Sequence, residues 1–133
     1  MLGLYYAHSG LRYLVLLAGL VAVIQFLVLA VGKKELSKTG RILGATFAGL
    51  LDLQVLIGLV LLAMRPFMPM VIGHIVMMVL AAVLTHVLLL ANRRRPKPGA
   101  VLPLVAVGVA MLLVVGGIFA IGRGPLQSLV LGV

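Results

Sequence analysis

Cysteine is missing from this chain. Its absence excludes disulfides, thiolate metal sites, iron–sulfur ligation and thioether attachment of a c-type haem. Acidic residues are almost missing: Glu35 and Asp52 stand alone against 11 Lys and Arg. Glu35 lies in a basic segment and Asp52 deep in an apolar run, so catalysis by paired carboxylates is nearly excluded. There is no phosphate-binding glycine loop, no nucleophile elbow and no His-Glu-x-x-His zinc helix. Charged residues of all kinds make up only 10% of 133. A soluble domain of this length needs a polar shell, and this chain lacks the residues to build one.

What fills the chain is apolar: 64% of residues are hydrophobic. Four runs of about 20 residues or more leave little else, and each is long enough to cross a bilayer. The fold class expected is all-α, a polytopic membrane protein with a bundle of four transmembrane helices in a single domain spanning 1–133. Helices are expected at about 9–31, 42–64, 70–91 and 100–121. An apolar tail, 124–133, follows and is too short to span. The first run has no basic n-region and no small-residue cleavage site before Lys33-Lys34, so it reads as a mature helix rather than a signal peptide.

A net charge of +9 would point to nucleic acid in a soluble protein. Here the charges sit in short segments between spans, where lipid headgroups are the natural partner, so no nucleic acid is expected. The first loop carries Lys33, Lys34, Lys38 and Arg41, and the third carries Arg93, Arg94, Arg95 and Lys97. The opposite side has Arg12, Arg65 and Arg123. The positive-inside rule then puts the basic loops in the cytoplasm and both termini outside, as for a multi-pass protein of a bacterial inner membrane.

Ser9 is a plausible N-cap for the first helix. Tyr5, Tyr6 and Tyr13 suit an interfacial aromatic belt. In the second helix Ala45, Ala48, Gly49 and Asp52 share a face, small residues at the spacing that lets helices approach closely. Asp52 is therefore expected to point into the bundle, with Gln54 and Gly58 on a different face. In the third helix His74, Met78, Ala81 and Thr85 form a stripe, and Met77 and Met78 read as packing residues. The fourth helix carries no ionisable side chain, and Gly108 and Gly116-Gly117 permit close packing.

Topology converts residue numbers to heights. His74 falls about 5 Å below the outer end of its helix, level with His8 at the start of the first. Asp52 falls mid-helix. His86 and Gln25 fall about 8–9 Å from the inner end. His74 and His86 are about 18 Å apart along one axis, so they cannot share a metal. The outer pair carries the sharper chemistry, because imidazoles on two helices at one height can bind the two faces of a haem iron. Arg12, Arg65 and Arg123 are candidate partners for its propionates. Hydrogen bonding between helices and lipid-phosphate contacts are the plainer readings of the same residues. Asp52, His86 and Gln25 are a candidate structural polar core or proton relay.

Several of these residues together resemble a family of small four-helix bacterial membrane proteins often labelled cytochrome b-like. The resemblance lies in His8-Ser9-Gly10-Leu11-Arg12-Tyr13, in Leu53-Gln54 followed by Leu56-Ile57-Gly58-Leu59-Val60-Leu61, and in His74 followed by Met77-Met78 and His86. It covers most of the chain, and the His-Ser-Gly-Leu-Arg opening is its distinctive part. It implies histidine ligation of haem b and electron transfer with a membrane redox partner. The chain departs from the pattern at Asp52, where the family's helix-2 histidine is expected, at Gly73, where an acid is expected, and at Thr85, where a glycine is expected. If that helix-2 histidine ligates haem in the relatives, the change to Asp52 implies the loss of one haem or of haem binding altogether. The alternative readings are an accessory subunit of a larger membrane complex, and an oligomeric proton-coupled carrier using Asp52, His74 and His86.

Overall fold

The computed structural model describes residues 2–65 and 68–122. Four long helices account for most of them: α1 (Leu2–Val31), α2 (Lys38–Met64), α3 (Ile72–Arg93) and α4 (Val101–Ala120), with a short 3₁₀ turn, Pro69–Val71, before α3. All four are long and apolar enough to cross a membrane. Arg123, the tail 124–133 and the Pro66-Phe67 step lie outside the described residues.

Two helices start earlier than expected. α1 begins at Leu2 rather than near Ser9, so Ser9 sits inside the helix and caps nothing. Nothing in Leu2–Ala7 breaks a helix except Gly3, and the apolar pattern simply continues upstream. α2 begins at Lys38 rather than Ile42, because Ser37 is its N-cap: the Ser37 hydroxyl accepts from the Gly40 amide at 3.0 Å. Arg65 ends α2 in an extended conformation, the one favoured before a proline. Pro103 sits in the first turn of α4, where its missing N–H costs no helical bond.

The connections are short, so neighbouring helices run antiparallel. α1 packs on α2, α3 on α4, and α1 also on α4; the α2–α3 seam is thinner. α1 and α3 thus face each other across a diagonal. The two basic segments meet at one end, where the Leu36 amide donates to the Pro98 carbonyl at 2.9 Å and Glu35 bridges to Gly99. Asn92 Nδ2 closes the same corner by donating to the Gly99 carbonyl. This is the basic end. Its opposite, the histidine end, brings together the start of α1, the last turns of α2, the start of α3 and the last turns of α4.

The core holds Phe26, Phe47, Leu51, Val15 and Val107, all fully buried. Glycines let bulky side chains in. The Phe26 ring lies over Gly44, where a Cβ would sit 3.4 Å from Cζ, and Gly19 of α1 receives the Met111 thioether of α4. Met77 and Met78 pack over Gly116 and Gly117 as expected, and Met78, Ala81 and Thr85 are buried. Phe26→Ala should lower unfolding stability by about 3–5 kcal/mol, the usual cost of emptying a large aromatic site. Leu17→Ala, at an exposed position, should stay within about 0.5 kcal/mol. Reversible unfolding in mixed micelles checks both.

Candidate functional site at the histidine end

His8 and His74 come from helices that otherwise scarcely touch, yet their rings meet. The ring centres are 6.2 Å apart and the ring planes are nearly perpendicular, at 82°. The early start of α1 makes this possible by placing His8 on a formed helix, one turn from Arg12. His74 Nδ1 lies 2.9 Å from the Gly117 carbonyl oxygen. A carbonyl can only accept, so Nδ1 carries the proton, and in the neutral ring Nε2 holds the lone pair. A backbone carbonyl fixing one nitrogen is the arrangement that orients a metal-binding histidine.

His8 is held differently. Its ring lies against Gly58 of α2, where a Cβ would come 3.0 Å from Cε1. Gln54 of α2 donates from Nε2 to the His8 backbone carbonyl at 2.7 Å. Neither His8 Nδ1 nor Gln54 Oε1, both buried, has a hydrogen-bond partner among the described residues. Buried polar atoms left without partners call for an explanation, a water or a ligand being the usual one.

They border a cavity of about 90 Å³, which Arg12, Leu51, His74 and Met78 also line. It is large enough for water and smaller than the 300 Å³ or so at which small-molecule pockets begin. Arg12 is buried, brings a positive charge to the wall and donates from Nη2 to the Tyr13 hydroxyl at 2.9 Å. Arg65 lies with its guanidinium carbon 4.6 Å over the Tyr5 ring at the rim.

Gln54, Gly58 and Gly117 were not among the sequence candidates, although Gln54 and Gly58 belong to the stretch that carries the family resemblance. Their signal lies in the spacing of α2. Phe47, Leu51, Gln54 and Leu61 recur at helical intervals and are all buried, which turns Gln54 inward. The same stripe overturns the expectation for Asp52. One residue beyond Leu51, it is rotated about 100° from the core, and its side chain is 47% exposed. The larger apolar residues take the inside, and of the small face only Ala48 is buried.

Asp52 instead meets His86 on the outer surface. His86 Nε2 lies 2.8 and 2.7 Å from the two carboxylate oxygens, and the His86 side chain is 56% exposed. Gln25 does not join them: its Nε2 lies 3.5 Å from the Ser37 hydroxyl, at the cap of α2. The three candidates for an inner polar core are therefore split between a surface pair and a cap contact. Among the described residues no group of three or more His, Cys, Asp or Glu could hold a metal ion, and the cavity is lined by two imidazoles, His8 and His74, together with Tyr5.

Comparisons with protein-family models, with curated proteins and with solved structures find no match to this chain.

Proposed function

We propose that the chain is a cytochrome b-like protein of a bacterial plasma membrane, in which His8 and His74 hold one haem b near the outer face for electron transfer. The observation that carries this reading is the meeting of two imidazoles from diagonal helices with ring centres 6.2 Å apart. Two imidazoles on one metal, each nitrogen about 2 Å from it and each ring centre about 1 Å further out, sit about 6 Å apart. The donor set fits a haem iron, and the proton on His74 Nδ1 leaves Nε2 as the ligating atom. Arg12 and Arg65, with Tyr5, would supply positive and hydroxyl partners for propionates. Haem b bound there supplies a one-electron redox couple.

The residues of the chain do the rest. Gly58 and Gly117 let the rings sit tight against α2 and α4. Gln54 ties α1 to α2 at the height of His8. Leu51 and Met78 keep the inner wall of the cavity apolar. The cavity of about 90 Å³ is too small for a macrocycle, so haem would enter only with the ends of α1 and α3 further apart than the ring spacing of 6.2 Å places them. Those helices make few contacts with each other, but each packs on α4 and on α2, so parting them also loosens those seams. Asp52 stands where a histidine is expected in the resembled family, so the chain would hold at most one haem.

The sidedness belongs to the same proposal. The two basic segments meet at one end, and eight Lys and Arg concentrated there favour the cytoplasm. Alkaline phosphatase fused within 32–36 should be inactive, and the same enzyme fused before α1 should be active. The reverse pattern would invert the bundle and place the histidines inside.

Protein purified from haem-replete cells should show a Soret band and a reduced α-band at about one haem per chain. His8→Ala or His74→Ala should each remove essentially all of it. Gly58→Leu, which crowds the His8 ring, should lower haem affinity about 10–100-fold, as loss of a ligand-orienting contact does. A colourless wild-type preparation overturns the reading.

A further inference from the structure

The Asp52–His86 pair has no place in the site at the histidine end, and its position is anomalous. Both side chains are about half exposed on the outside of α2 and α3. His86 lies seven residues before the end of α3 at Arg93, about 10 Å from that end, and Asp52 lies about 20 Å along α2 from Lys38. With a hydrocarbon layer of about 30 Å, both heights fall within it. An ionisable residue at that depth normally faces the bundle interior or an aqueous cavity. This pair faces lipid unless something covers it.

We propose that a second copy of this chain covers it, docking α2–α3 against α2–α3 about a two-fold axis. The inference rests on the membrane-spanning reading and not on the haem. Its first support is chemical complementarity. His86 uses Nε2 on its own Asp52, and its Nδ1 makes no hydrogen bond among the described residues. A pair facing hydrocarbon is least costly with no net charge, and in that form, whichever of the two groups holds the shared proton, Nδ1–H is left to donate outward. The Asp52 carboxylate has acceptor capacity to spare. One spare donor and one spare acceptor at the same height are self-complementary, as an isologous interface demands. Two copies in that form make a closed ring of two imidazoles and two carboxyl groups with no net charge. A different partner would have to bring both a donor and an acceptor to that depth.

The second support is steric. Ala45, Gly49, Asp52 and Leu56 share the outward face of α2, and all are exposed. A Cβ added at Gly49 meets nothing within 4 Å, so the single chain gives no reason for a glycine there. Small residues four apart on a membrane helix let a second backbone approach closely. On α3 the outward residues around His86 are Val79, Val83 and Leu90, a smooth apolar surround. The α2–α3 seam is also thinly packed within the chain.

Because the chain has no cysteine, single-cysteine variants test the face directly. Ala45→Cys and Leu56→Cys lie on it; Leu17→Cys, on an exposed part of α1, lies off it. Each is treated in membranes with a short bis-maleimide and run on denaturing gels. A linked dimer of this chain is expected from at least one face position, at five times or more the yield of Leu17→Cys. Adding Asp52→Leu with His86→Leu should cut that yield at least fivefold, with circular dichroism reporting whether the helices persist. Gly49→Leu should cut it similarly, and its side chain meets open space in the single chain, so the fold is retained. Uniform or absent linkage overturns the proposal. So does an adduct only with another protein, or a yield unchanged by Gly49→Leu.

Discussion

Among helices that are apolar nearly all round, hydrophobicity cannot distinguish one face from another, so packing and polar satisfaction must decide which faces meet. Everything in this bundle depends on that constraint. Phe26 packs against α2 because Gly40 and Gly44 leave room for its ring, and Met111 of α4 fits against α1 because Gly19 does. These fits set how closely α1 approaches its two neighbours. The diagonal between α1 and α3 is left as the wide one, and the histidines stand across it. Ser37 at the cap of α2, with the Leu36–Pro98 and Asn92–Gly99 bonds, fixes the basic end in register. Heights at the opposite end follow, which is why His8, Gln54, His74 and Gly117 arrive at one level.

Length and hydropathy made the helices legible, and charge made the pairing of the basic loops legible. The level of His8 with His74 followed from counting residues along antiparallel helices, and the ring contact agrees with it. Which face of α2 turns inward was not legible in the same way. Small residues and large apolar residues each form a stripe there, and the small stripe pointed to an inward Asp52. The structure follows Phe47, Leu51, Gln54 and Leu61. In a helix apolar nearly all round, the hydrophobic pattern has little amplitude, and packing volume decides. The two stripes also answer different needs, since large residues fill a core while small ones on the outside leave room for a neighbour.

Gln25 shows a second limit. It lies near the basic end, where counting residues along α1 puts it, yet its partner is Ser37, because Ser37 caps a helix that starts four residues before the expected Ile42. A boundary shift of one turn changes which side chains are within reach of one another. The same effect worked in favour of the histidine site. An α1 that began at Ser9 would leave His8 in a free segment with no fixed direction; beginning at Leu2, it aims the ring at Gly58 and His74.

The two polar clusters therefore differ in kind although each contains histidine. At the histidine end the imidazoles lie between helices, one nitrogen is tied to a backbone carbonyl, and buried polar atoms border a small cavity. That is a site incomplete without something placed inside it. At Asp52 and His86 the pair is complete within itself by distance but exposed by position. That is a site incomplete without something placed against it. Changing Asp52 to histidine, the residue expected in the resembled family, would put two imidazoles on the exposed side of α2 and α3 and none nearer the cavity, because residue 52 faces away from Leu51 and Gln54. The side of the helix, more than the residue type, is what separates position 52 from the cavity that His8 and His74 line.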